Sequence, residues 1–177
     1  MSGLQDLYRE IILDHYRAPR NRGELPVPPA HKVEGFNPLC GDEVVLFLEV
    51  EDGIVTDVKT AGQGCSISQA STSMMSAAIK GKPVDEARTL IRAFKALMSI
   101  HESKLEGGEE SDLGAELEGV RLGDLEALQG VVKFPVRIKC ATLGWNVLQQ
   151  GLDEANLDVA SSNPNGIESS VETGIET

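Results

Sequence analysis

The chain has 177 residues, 41% of them hydrophobic, enough apolar material for one domain with its own core. Its formal net charge of −12 is concentrated in two places, with nine acids against two bases between Glu102 and Glu126 and six acids with no base from Asp153 onward. The remainder is near neutral and carries no basic face of the kind that neutralises phosphates, so nucleic-acid binding is not expected.

No apolar run approaches the ~20 residues of a spanning helix, and membrane insertion is not expected either. The start, Met1-Ser2-Gly3-Leu4-Gln5-Asp6, lacks the basic and apolar regions of a secretory signal. A cytoplasmic protein is expected. Three cysteines are an odd number, and in a reducing compartment they are inert core thiols or parts of a site rather than disulfides.

Leu4, Leu7, Tyr8, Ile11 and Ile12 recur at helical spacing, which predicts an amphipathic helix over 3–17 that stops before Pro19. A loop with Pro26, Pro28 and Pro29 follows. Residues 31–38 read as a first strand and 43–51 as a second, with Val44, Leu46 and Leu48 on one face. Asp52-Gly53 is a hairpin signal, and 54–60 completes an antiparallel meander. Gly62-Gln63-Gly64-Cys65 then leads into a helix ending near Ile79, with Ser66 or Ser68 as its expected cap and Met74 and Met75 as core filler. Val84, Ala87, Leu90, Ile91, Phe94, Leu97 and Met98 mark another helical stripe, and 122–128 a short helix. Pro135 suits the first position of the last helix, which carries Cys140, Trp145, Leu148 and Leu152. The expected domain spans 1–155, with an acidic insert at 102–122, and 156–177 reads as a disordered acidic tail.

Chemistry concentrates around Asn37-Pro38-Leu39-Cys40-Gly41-Asp42. In an extended backbone Cys40 and Asp42 point to the same side, and Gly41 between them permits close approach. Cys65 sits at a helix N-terminus, where aligned peptide dipoles favour a thiolate. If Cys40, Asp42, Cys65 and Cys140 converge, they supply four ligands for Zn²⁺, with Arg137 and Lys139 nearby to offset surplus negative charge. His15 and His31 are further candidate ligands, although a histidine at a helix end is more often a packing or capping residue. The spacing alone leaves structural cysteines and a metal site both open.

The segments N-P-L-C-G-D at 37–42, G-Q-G-C-S-I-S at 62–68 and R-I-K-C-A-T-L-G-W at 137–145 resemble the SufU branch of the IscU/NifU-like iron–sulfur assembly proteins. D-H-Y-R-A-P-R-N at 14–21 and G-K-P-V-D-E-A at 81–87 agree. The resemblance covers about residues 4–155. It implies an α+β fold, a small three-stranded antiparallel sheet covered on one side by helices, with Cys40, Asp42, Cys65 and Cys140 as the metal ligands. It further implies a zinc-dependent sulfur acceptor, a sulfurtransferase or sulfur carrier, that takes persulfide sulfur onto Cys40 with Arg137 assisting. The implied partners are a SufS-type cysteine desulfurase and the downstream Suf machinery. The alternative within the same family is a scaffold that builds a [2Fe–2S] cluster and hands it on. Scaffolds of the IscU type carry histidine before the last cysteine where this chain has Lys139, and their Leu-Pro-Pro-Val-Lys segment is degenerate here at Phe134-Pro135-Val136-Arg137.

Overall fold

A computed structural model describes residues 3–106 and 119–162. Helix α1 (Gly3–Arg17) leads into a sheet of β1 (His31–Asn37), β2 (Asp42–Glu51) and β3 (Ile54–Gln63). Helices α2 (Ser66–Ile79) and α3 (Val84–Glu106), a 3₁₀ segment (Gly123–Lys133) and the long helix α4 (Pro135–Ser162) follow. The sheet is an antiparallel meander in the order β1-β2-β3. Asn37 pairs with Asp42 across the first hairpin, and Glu43 pairs with Gln63 across β2 and β3. At the second hairpin Asp52 and Gly53 both take positive φ, 52° and 75°, the geometry an Asp-Gly turn supplies.

The period-2 pattern of β2 decides which face is inside. Val44, Leu46 and Leu48 are fully buried under the helices, while Glu43, Val45 and Glu49 alternate with them on the more open face. Phe47, on that second face, is also buried, and Lys32 Nζ lies 5.9 Å from its ring centroid. Asp42 is in phase with the Val44 row, so its carboxylate points inward and is fully buried. That phase relation fixes the functional site.

Helix α2 runs through the centre of the helical layer with small polar residues inside: Ser68, Ser71, Thr72, Ser73 and Ser76 are all buried. Small side chains let the helices approach closely. Trp145 of α4 stacks on Phe94 of α3 with ring centroids 4.6 Å apart, and its Nε1–H donates to Ser71 Oγ at 3.1 Å. Ser71 Oγ in turn donates to the Ala141 carbonyl at 2.6 Å, so α2 and α4 are joined by a satisfied polar bridge inside the core.

Several boundaries differ from the sequence expectation. Strand β1 ends at Asn37 because Pro38 has no N–H to give the ladder. Strand β3 reaches Gln63 because β2 offers it partners as far as Glu43. The short helix expected at 122–128 is a 3₁₀ segment extending to Lys133. Helix α4 runs to Ser162, past the 156 boundary expected for a disordered tail, and α3 carries the start of the acidic insert as helix to Glu106. Residues 107–118 and 163–177 lie outside the described residues.

Candidate metal centre

Three elements meet at one end of the sheet: the β1–β2 hairpin, the start of α2 and the first turns of α4. The hairpin is shaped by Asn37, which is buried. Its Oδ1 accepts the Leu39 N–H at 3.2 Å and its carbonyl accepts the Cys40 N–H at 3.4 Å. Gly41 completes the turn at φ 66°, a left-handed conformation that favours glycine. Cys40 therefore stands on the turn and not on the strand. The expected extended-backbone pairing of Cys40 with Asp42 is replaced by a turn that delivers the same convergence.

Cys40 is half-buried and Cys140 is buried, and their sulfur atoms lie 3.2 Å apart across 100 positions of sequence. With an Asp42 carboxylate oxygen they form a group whose ligand atoms all lie within 4.8 Å of one another. The Asp42 carboxylate is held at one end only. Its Oδ1 accepts the Cys65 backbone N–H at 2.9 Å, while Oδ2 is buried without a hydrogen-bond partner. An ionised oxygen left bare in a buried site is costly unless a cation or a donor meets it. Sulfur and carboxylate oxygen are the donor types that zinc takes, and the bare Oδ2 beside two thiols fits such an ion.

Cys65 is itself the N-cap of α2, a role the sequence suggests for Ser66 or Ser68. Its backbone is extended (φ −68°, ψ 165°) and its sulfur accepts the Ser68 N–H at 3.4 Å. Cys65 falls outside the 4.8 Å group, so the structure brings together three of the four expected ligands and places the fourth one hydrogen bond away. Gly64 makes that bond possible. A Cβ built there would stand 2.5 Å from Asp42 Oδ1 and 3.1 Å from Asp42 Cα.

The electrostatics centre on the thiols. Burial first, then the neighbouring Asp42 carboxylate and Cys40 sulfur as acceptors for its S–H, then the charge of Cys65, push the Cys140 thiol well above its ordinary value, so without a cation it stays protonated. The exposed Arg137 guanidinium lies against Cys65 and Cys140, and these sulfurs raise its own pKa further. Lys139 is exposed on the same turn of α4. Neither His15 nor His31 is a ligand of this group. His15 is buried with Nδ1 2.8 Å from Ser73 Oγ and Nε2 2.9 Å from Asp124, and His31 lies 3.5 Å from Asp158. Asn37, whose Nδ2 is 3.9 Å from Cys140 Sγ, is the contributor that sequence reasoning leaves without a role; an asparagine before proline at a strand end is its only signal.

The family profile described as NifU-like N terminal domain matches residues 7–141. The chain belongs to that family. It is similar to the zinc-dependent sulfurtransferase SufU of Bacillus subtilis, 45% identical over 151 residues that cover 85% of this chain and 92% of that one. It is also similar to the iron–sulfur cluster assembly scaffold protein IscU of Streptococcus pyogenes, 38% identical with 86% of each chain covered. A crystal structure of a putative scaffold protein for the SUF system from Fervidobacterium islandicum superposes with a TM-score of 0.65 at 33% identity, covering 85% of this chain and 99% of that one. The three-stranded α+β fold is thus the fold of this NifU-like family, as the sequence resemblance implied.

Proposed function

We propose that this chain is a zinc-dependent sulfurtransferase of iron–sulfur cluster assembly that accepts persulfide sulfur on Cys40 from a SufS-type cysteine desulfurase. The observation that carries the reading is the bare, buried Asp42 Oδ2 beside two thiols 3.2 Å apart, one of them reachable from outside. The similarity to a zinc-dependent sulfurtransferase supports it. Cys40, Asp42, Cys65 and Cys140 are the proposed ligands, with Cys65 tied to Asp42 through its own N–H. Zinc, when bound, keeps its cysteine ligands ionised at neutral pH.

The protein's residues supply the rest. Cys40, on a turn and half exposed, is the thiol an incoming persulfide can meet; Cys140 is buried behind it. The Cys40 thiolate attacks the terminal sulfur of the donor persulfide. A bond forms between Cys40 Sγ and that sulfur, the donor's S–S bond breaks, and its electron pair leaves on the donor cysteine as thiolate. Arg137, held beside Cys65 and Cys140, offsets negative charge while this occurs. The acceptor then passes its sulfane sulfur to the downstream assembly machinery. The free cysteines among the described residues are consistent with work in a reducing cytoplasm, and no described helix is long and apolar enough to cross a membrane.

A second reading, assembly of a [2Fe–2S] cluster on the same ligands, is favoured by the IscU scaffold relatives. Elemental analysis with an absorbance spectrum separates the two. About one zinc per chain without visible absorbance, together with Cys40-dependent stimulation of desulfurase turnover, supports the sulfur acceptor. Iron with matching sulfide and a visible chromophore overturns it.

A further inference from the structure

A groove of about 810 Å³ runs from the metal centre between α1, the start of α2, the 3₁₀ segment and the start of α4. Tyr8, Ile12, Ile67, Val131 and Phe134 make it largely apolar, and Phe134 is 61% exposed. Arg9, Lys133 and Arg137 supply its charges, and no carboxylate among the described residues lines it. In a chain of net charge −12, three cations in one such apolar groove are a local reversal of sign. The groove is also continuous with the chemistry, since Cys65 and Arg137 belong to both.

We propose that this groove seats an acidic segment of the sulfur-donating desulfurase that also carries apolar side chains, and so orients the donor persulfide toward Cys40. The inference rests on the sulfur-acceptor reading and adds the docking surface to it. Apolar side chains of that segment meet the Tyr8–Phe134 floor and exclude water, while its carboxylates meet Arg9 and Lys133 at the rim. Rim charges of this kind govern encounter rate and salt dependence more than they govern the depth of binding. A carboxylate reaching Arg137 competes with Cys65 and Cys140 for the guanidinium, which ties docking to the state of the thiols.

The test measures binding of the zinc-loaded chain to a SufS-type desulfurase at several salt concentrations. It compares the unmodified chain, an Arg9→Glu/Lys133→Glu double variant, and Lys95→Glu, a charge change on α3 away from the groove. In parallel, each is loaded with sulfur from a small-molecule persulfide, which needs no docking. The proposal expects the double variant to bind about tenfold more weakly or worse and to lose most of its salt dependence, with zinc content and small-molecule loading unchanged. Lys95→Glu should bind like the unmodified chain. Unchanged binding by the double variant, equal weakening by Lys95→Glu, or no binding by the unmodified chain overturns the groove. Failure of the unmodified chain to load from the small persulfide, with binding still dependent on Arg9 and Lys133, instead overturns the acceptor reading and leaves the groove standing.

Discussion

The Cys65 backbone nitrogen and Asp42 Oδ1 are 2.9 Å apart, and that hydrogen bond fixes the Asp42 carboxylate in the centre. Oδ2, the other oxygen of the same carboxylate, is buried without a hydrogen-bond partner, in a group whose ligand atoms lie within 4.8 Å of one another. Because the donor is backbone at the N-cap of α2, the carboxylate is positioned by the end of a helix and not by a flexible side chain. Preorganisation of this kind lets a buried anion wait for a cation at a fixed place.

Replacing the carboxylate should therefore separate its two jobs. Asp42→Asn retains an acceptor for the Cys65 N–H but removes the anionic oxygen, so the fold should hold while zinc affinity falls by ~100-fold or more. Asp42→Ala also removes the acceptor of the part-buried Cys65 N–H and should cost a further ~1 kcal/mol of stability. Chelator competition reads the first effect and denaturant unfolding of the metal-free protein the second.

Gly64→Ala should damage the centre without touching a ligand. Its Cβ meets Asp42 Cα, a backbone atom that cannot swing aside, as well as Oδ1. A loss of ~1–3 kcal/mol and weaker zinc retention are expected, measured by thermal unfolding and metal content.

The Cys140 thiol gives a pH signature. Its ordinary value is 9.0, and in the folded metal-free protein it is raised far above that. Above about pH 9 the unfolded chain loses this proton while the folded chain keeps it, so the folded state binds more protons and stability falls with rising pH, by ~1.4 kcal/mol per pH unit. Cys140→Ser should lack that slope in metal-free unfolding between about pH 9 and 11. Zinc competes with the same proton, so its apparent affinity should instead rise with pH.

His15 joins α1 to α2 and to the 3₁₀ segment through Ser73 and Asp124, remote from the ligands in bonding terms. His15→Ala should lower stability by ~2–4 kcal/mol, since it opens a buried space and strands polar partners. Zinc stoichiometry in the folded fraction should not change, and a lost equivalent of zinc would return His15 to the ligand set.

Local pattern carries much of this architecture. The helical spacing over Leu4 to Ile12 marks α1, of which Tyr8, Ile11 and Ile12 pack on the core while Leu4 and Leu7 stay exposed, and the alternation of Val44, Leu46 and Leu48 marks the inner face of the sheet. Pro135 stands at the first position of α4, where its missing N–H suits a helix start. What escapes local pattern depends on distant partners. Cys65 caps α2 with its own sulfur, a function that Ser66 and Ser68 advertise more strongly in the residues around it. The role of Asn37 needs Cys140, 103 positions away, and the bonding of His15 needs Asp124, 109 positions away. The position of Cys40 on a turn follows from Asn37 and Gly41 acting together, which neither residue signals alone.

The most direct measurement is the position of the transferred sulfur. The zinc-loaded chain is incubated with a SufS-type desulfurase and cysteine, alkylated, digested and analysed by mass spectrometry. The account predicts one added sulfur atom on the peptide that contains Cys40, and none when Cys40 is replaced by serine. Sulfur on the Cys65 or Cys140 peptide, or undiminished loading of Cys40→Ser, would contradict it.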